Sequence, residues 1–92
     1  MDKRVDYNKT TNKEEAYEVV KEAVTPDLLA RFQVKASLDY KDDLITAKGK
    51  GFKLDMGFDD QGCWYKLDLS FLLKPLKSKI ITGIEKQLQR II

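Results

Sequence analysis

The side chains that could carry catalysis are few, and their spacing favours structural roles. The sequence contains no histidine, which removes His-based nucleophilic triads, the commonest metal ligand and the usual general base near pH 7. Cys63 is the only cysteine and has no activating partner nearby in sequence, so a small buried residue beside a turn accounts for it. A lone cysteine also rules out an internal disulfide framework and is typical of a reducing cytoplasm.

Two pairs of adjacent carboxylates, Asp42/Asp43 and Asp59/Asp60, could in principle share a proton or hold a cation. Both pairs fall in expected hairpin turns, where aspartate stabilises the turn through its own backbone. The stretch DMGFDDQG lacks the spacing of a calcium loop and its closing glutamate, and no phosphate-binding glycine loop opens a helix. We therefore expect no catalytic residue, no metal site and no cofactor, and we expect the protein not to be an enzyme.

Composition places the chain among ordinary globular proteins. Its 92 residues, 42% hydrophobic and 35% charged, allow one domain over residues 1–92, whose core buries roughly 60% or more of the unfolded surface. Residues 1–10 lack the apolar segment of a secretory signal, and no run approaches the ~18 apolar residues of a membrane span. These features predict a cytoplasmic protein, and a net charge of +2 is too small to indicate nucleic-acid binding.

The longest amphipathic segment lies at the C-terminal end of the sequence. Its apolar residues recur at intervals of four, four, four and three, the spacing of one helix face: Leu76, Ile80, Ile84, Leu88 and Ile91. Pro75 suits a first helical position, because its missing N–H is no loss there. On such a helix Lys79, Lys86 and Arg90 lie opposite the apolar face, which is expected to pack on the protein.

The surplus of positive charge lies in the same segment. Residues 74–92 carry five lysines and arginines against the single Glu85, net +4, so the rest of a chain that is +2 overall is net −2. Lys74, Lys77 and Lys79 stand at the N-terminal end of the helix, where its dipole disfavours cations. This placement indicates an anionic neighbour, inside the fold or outside it. A basic face that is merely solvated is the alternative.

Upstream, the pattern predicts a sheet and shorter helices. A short strand over residues 3–9, a helix capped by Thr11 or Asn12 and a helical turn over residues 26–32 precede four segments that alternate with a period of two. Those segments span residues 34–40, 44–48, 52–58 and 63–71. Short connections predict an antiparallel meander with the first strand at one edge. The order β-α-β-β-β-β-α predicts a two-layer α+β domain, its antiparallel sheet packed against the long C-terminal helix.

Two features of the expected sheet could bind something. Trp64 falls on the polar outer face, where an exposed tryptophan suggests a contact site; a ring lying over lysine stems or in a loop is the alternative. On the inner face, five large side chains could line an apolar cavity beneath the terminal helix, although in so short a chain they could simply fill the core. These residues are Phe52, Met56, Phe58, Tyr65 and Phe71.

Several motifs together are similar to one known family. They are the EEA of residues 14–16, the G-x-G turn at Gly49 and Gly51, the strand end FLLKPLK, and the I-x-x-x-I-x-x-x-L of Ile80, Ile84 and Leu88. In these motifs and in length the chain resembles the polyhydroxyalkanoic acid system protein family, small bacterial proteins of the polyhydroxyalkanoate granule region. Thr25-Pro26 inside the first helix, Cys63 and Trp64 depart from the family's pattern.

The resemblance implies association with storage-polyester granules or with their regulation, and the family has no established catalytic residues that could be assigned to this sequence. Together with the basic helix it predicts a non-enzymatic cytoplasmic protein that binds a protein or a granule surface. The candidate partner-binding residues are Lys79, Lys86, Arg90 and Trp64. The alternative function is that of a carrier for a small apolar ligand, in a reduced helix-grip, START-like version of the fold.

Overall fold

The computed structural model describes residues 3–31, 35–41 and 43–92. In these ranges the strands are β1 (Lys3–Asp6), β2 (Ser37–Lys41), β3 (Leu44–Gly49), β4 (Phe52–Phe58) and β5 (Gly62–Leu69). The helices are α1 (Lys13–Ala23), α2 (Pro26–Ala30) and α3 (Lys77–Ile91), the last preceded by a 3₁₀ turn, Lys74–Leu76. The predicted α+β class is therefore confirmed.

The five strands form one antiparallel sheet in the order β1-β5-β4-β3-β2. This order confirms the predicted meander of four strands and the edge position of the first strand. Val5 of β1 lies opposite Cys63 of β5, and Met56 of β4 lies opposite Tyr65. In the β3–β4 turn Gly51 has a φ of 72°, the left-handed conformation that glycine adopts without a steric penalty.

Alternation along the strands builds the core on one face of this sheet. The inward positions of β3, β4 and β5 are buried: Ile45, Ala47, Phe52, Leu54, Met56, Phe58, Cys63, Tyr65 and Leu67. From α3 the side chains of Ile80, Ile84 and Leu88 are buried too, whereas Leu76 in the preceding 3₁₀ turn is only half-buried. α3 contacts β1 and β5, and α1 contacts α3 and β4, so sheet and helices share one core.

The two N-terminal helices begin at side-chain caps, and the cap of α1 is the predicted Asn12. The Asn12 side chain accepts a hydrogen bond from Glu15 N at 2.9 Å, and Thr25 Oγ1 accepts one from Leu28 N at 3.3 Å. Both bonds satisfy N–H groups that the start of a helix leaves without a partner. In the described ranges no helix is long and apolar enough to cross a membrane.

The C-terminal end of α3 is fixed by the loop between β1 and α1. The N–H groups of Asn8, Lys9 and Thr10 donate to the main-chain oxygen of Ile92 at 2.6, 2.6 and 3.0 Å. The Thr10 hydroxyl donates to the same oxygen at 3.1 Å, and the Ile92 side chain is buried. These bonds satisfy an oxygen that the end of a helix otherwise leaves unpaired, and they hold α3 at its end as well as along its apolar face.

The last strand is shorter than the alternating pattern predicts. β5 ends at Leu69, and Phe71 lies outside the sheet. Ser70 begins a turn in which the N–H groups of Leu73 and Lys74 both donate to Ser70 O at 3.0 Å. The turn redirects the chain toward α3, so the inward position assigned to Phe71 was wrong.

Other boundaries differ less. β1 ends at Asp6 rather than at residue 9, because the following backbone bonds to the end of α3 instead of a strand. α2 ends at Ala30. Phe32, the predicted end of the helical turn, and Val34, the predicted start of the second strand, lie outside the described residues. Asp42, with its carboxylate, lies outside them as well.

The buried face of α3 gives a direct test of the fold. Replacing Ile84, which is 4% exposed, by alanine should lower the free energy of unfolding by roughly 2–5 kcal/mol, the cost of deleting large core side chains. The measurement is urea denaturation, with the exposed Gln89→Ala on the same helix as control, for which a change within about 0.5 kcal/mol is expected. A loss below about 1 kcal/mol for Ile84→Ala would mean that another face of α3 is buried.

Candidate functional site

The basic residues of α3 line up on its solvent side. Lys79, Lys86 and Arg90 are all exposed, and at ~100° per residue they fall within an arc of roughly 40°, away from the buried Ile84 and Leu88. With a rise of ~1.5 Å per residue, the three cations extend over roughly 16 Å of the helix. We call these three residues the basic stripe.

Among the described residues, no carboxylate lies within ion-pair distance of the basic stripe. In the part of the chain that the structure describes, none of its three side chains forms an ion pair. Glu85, the only acid of the segment, pairs instead with Lys3 of β1 at 3.4 Å. Lys9 adds a cation at the far end of the stripe, where its Nζ donates to Arg90 O at 2.7 Å. Sequence reasoning missed Lys9, because this contact joins residues 81 positions apart.

Trp64 is half-buried on the outer face of the sheet, where its indole ring covers Gly57. The two residues are opposite each other in the β4–β5 register, and a Cβ atom on Gly57 would stand 2.1 Å from Trp64 Cζ2. The ring fills the space left by the missing side chain, a packing that stabilises glycine within a sheet. Because α3 covers the inner face, the structure does not bring Trp64 together with the basic stripe.

Asp59 belongs to a structural ion pair rather than to a pair of carboxylates. Its two oxygens accept hydrogen bonds from the Arg4 guanidinium at 2.7 and 2.8 Å, and Oδ1 also accepts from Gln61 N and Gly62 N. The Arg4 hydrogen bonds, helped by these N–H groups, hold the pKa of Asp59 well below its ordinary value. The Tyr7 hydroxyl donates to Asp59 O at 2.6 Å. Together with the bonds from Arg4, this bond holds the C-terminal end of β1 against the β4–β5 turn.

The one thiol is inaccessible. Cys63 is completely buried, and burial raises its pKa to about 12, so little of the nucleophilic thiolate exists near neutral pH. Among the residues described, no three aspartate, glutamate or cysteine side chains lie close enough to hold a metal ion.

Four of the five side chains expected around a ligand cavity lie in the core. Phe52, Met56, Phe58 and Tyr65 are all buried members of it. The apolar cavity between the sheet, α2 and α3 measures about 10 Å³, room for roughly one water molecule, whereas a drug-sized ligand needs roughly 300 Å³ or more. Phe71 is a correction: it is 86% exposed, because the turn at Ser70 carries it away from the inner face.

Sequence reasoning missed one exposed apolar feature. Phe71 and Leu72 are 86% and 84% exposed and stand side by side in the turn that follows β5. We call this pair the apolar tip. The alternating pattern concealed it, because the alternation continues to Phe71 although strand pairing stops at Leu69.

The Asp59 ion pair predicts how stability depends on pH. Because the folded state holds the pKa of Asp59 below the ordinary 3.8, its stabilising effect is present above that pH and is lost as the pH falls through the acid range. Asp59→Asn keeps one acceptor oxygen for the two N–H groups of the turn but removes the charge, so it should flatten the acid limb of unfolding free energy against pH. Urea denaturation between about pH 6 and pH 2 measures this.

The matched control is Asp60→Asn in the same turn, which should leave the acid limb unchanged. If the Asp59→Asn variant and the parent lose stability in parallel as the pH falls, Asp59 does not carry the pH dependence assigned to it.

The contact between Trp64 and Gly57 predicts a second effect. Gly57→Ala should displace the indole ring, shift the emission of the single tryptophan to longer wavelength and cost roughly 1–3 kcal/mol, the range for overpacking. In a Trp64→Leu background the cost of Gly57→Ala should shrink, because the clashing ring is gone. An equal cost in both backgrounds would show that the ring does not occupy this space.

No family model matches this chain, and neither a curated protein nor a solved structure does. Function is therefore inferred from the surface. Packing on Gly57 already accounts for Trp64. In the described ranges, neither the basic stripe nor the apolar tip has a role inside the fold.

Proposed function

We propose that the protein is a non-enzymatic docking module that binds an anionic partner or surface through the basic stripe. The observation that carries this proposal is the exposure of all three cations without an ion pair in the described part of the chain. The one acid of the segment is engaged by Lys3 on the sheet. This face of α3 therefore presents a single sign of charge, which attracts anions.

The spacing of the basic stripe lets its charges act together. Lys79 and Lys86 are roughly 10 Å apart along the helix, and Lys86 and Arg90 roughly 6 Å. Both separations are about one Debye length at physiological ionic strength, so the potentials add at the surface of a partner. Arg90 suits the negative end of the helix dipole, but Lys79 in the first turn does not. An external anion explains the position of Lys79 better than the dipole does.

The choice of a storage granule as the place of docking rests on the motif resemblance to the polyhydroxyalkanoic acid system family alone, since no family model matches the chain. We propose that the protein works in the cytoplasm and binds the coat of the granule, its surface or a protein on it. Trp64 would contribute only if the same partner also reached the outer face of the sheet.

A carrier of small apolar ligands is the less supported alternative. In the reduced helix-grip, START-like version of the fold, a ligand would lie between the sheet and α3. The cavity there measures about 10 Å³. To admit a ligand, α3 would first have to move away from the sheet and break the core contacts of its own Ile80, Ile84 and Leu88. No described feature favours such a movement, and we propose docking rather than transport.

The proposal predicts salt-sensitive binding that depends on the basic stripe. Parent protein should sediment with purified storage granules at low ionic strength and dissociate as salt is added, because salt screens exposed charges. Replacing Lys79, Lys86 and Arg90 together by glutamine should abolish co-sedimentation. The melting temperature should hardly change, since exposed substitutions usually alter stability by no more than about 0.5 kcal/mol.

The matched control replaces three exposed lysines of the sheet, Lys41, Lys48 and Lys66, by glutamine. It makes the same change in net charge on a different surface and should retain granule binding. Equal binding by the stripe variant and the parent, or equal loss in both triple variants, would contradict docking through α3.

A further inference from the structure

The apolar tip is unusual for a surface turn. Phe71 and Leu72 are 86% and 84% exposed, whereas Leu44, the other large hydrophobic residue exposed in the described ranges, reaches only 38%. Single exposed apolar side chains are common, but two adjacent ones that are almost fully solvated leave a projecting apolar surface in water. Because Phe71 and Leu72 are not buried, their apolar surface does not stabilise the fold.

The backbone that carries the apolar tip is held in place. Ser70 N donates to Gly51 O in the β3–β4 turn at 2.8 Å, and Ser70 O accepts from both Leu73 N and Lys74 N at 3.0 Å. Leu73, the next side chain, packs against the core. A Cβ atom on Gly51 would stand 2.6 Å from Ser70 Oγ, so the two turns are in close contact. The tip therefore projects from a fixed base, and its backbone loses little conformational freedom on binding.

Cations border the apolar tip. Lys50 and Leu72 line the same shallow depression on the surface, and Lys74 follows Phe71 by three residues and is exposed. Neither lysine forms an ion pair among the residues described. An apolar projection bordered by lysines matches the boundary of an anionic lipid layer, where apolar side chains enter the acyl region and lysines meet the phosphate head groups.

We infer that the apolar tip, Phe71 and Leu72 with Lys50 and Lys74 beside it, inserts into the surface of an anionic lipid layer. This inference rests on the proposed function, docking on an anionic surface, and identifies that surface as lipid. A projecting pair of side chains needs no preformed pocket in a deformable layer, whereas a folded protein partner would have to provide one. The basic stripe attracts the anionic layer over a long range, and the side chains of the apolar tip then enter that layer.

The experiment measures binding to vesicles of phosphatidylglycerol and phosphatidylcholine in about equal parts, with pure phosphatidylcholine vesicles for comparison. Parent protein should bind the anionic vesicles and not the neutral ones. The double variant Phe71→Ser/Leu72→Ser should bind them roughly a hundredfold or more weakly, because burial of each large apolar side chain typically contributes at least the free energy of a tenfold change. The control Leu44→Ser should bind as the parent does.

Insertion has its own readout. In a Trp64→Phe background, Phe71→Trp places the only tryptophan in the apolar tip. Its emission should shift to shorter wavelength on the anionic vesicles and should be quenched by brominated acyl chains. Binding without this shift, or equal binding by the double serine variant and the parent, would overturn insertion. A parent that sediments as a dimer and a serine variant that sediments as a monomer would overturn it as well, by identifying the tip as a dimer contact.

The two proposals can fail separately. If the parent ignores anionic vesicles while granule binding still depends on the basic stripe, docking stands and the lipid inference is wrong. If the parent binds vesicles through the tip but the stripe variant binds granules normally, docking through α3 is wrong.

Discussion

Burial of one face of α3 against the sheet is the interaction on which the structure depends. Without Ile80, Ile84 and Leu88, the inward side chains of the central strands, Met56 and Tyr65 among them, would face water. The loop after β1 adds three N–H bonds to the end of the same helix. A helix packed along this face turns its opposite side to solvent. Because Ile80, Ile84 and Leu88 are buried in the core, the basic stripe on the opposite side of α3 faces solvent.

Much of this arrangement is predictable from periodicity. The period of two in β4 and β5 and the helical spacing of the last segment predict which side chains face inward, because burial of one face is the strongest constraint on each element. The end of β5 was predicted wrongly, since the alternation extends to Phe71 while pairing stops at Leu69. The packing of Trp64 on Gly57 and the bond from Lys9 to Arg90 depend on strand register and on loop position, which no local pattern specifies.

The candidate sites, too, include features that the sequence pattern predicts and features that depend on tertiary contacts. Exposure of Lys79, Lys86 and Arg90 follows from the helix pattern, whereas the ion pair between Glu85 and Lys3 on the sheet depends on the tertiary structure. Asp59, an apparent carboxylate pair with Asp60, is instead an ion-pair partner of Arg4, 55 residues away. Asp59 in its ion pair and Cys63 in the core thus serve the fold.

The central claim, docking through the basic stripe, is tested most directly by comparing lysine acetylation in the free and the granule-bound protein. Peptide mass spectrometry gives the reactivity of each lysine in both states. The account predicts that Lys79 and Lys86 become protected on binding, while Lys48 and Lys66 on the outer face of the sheet keep their reactivity. Unchanged reactivity of Lys79 and Lys86, or protection of Lys48 and Lys66 in their place, would contradict it.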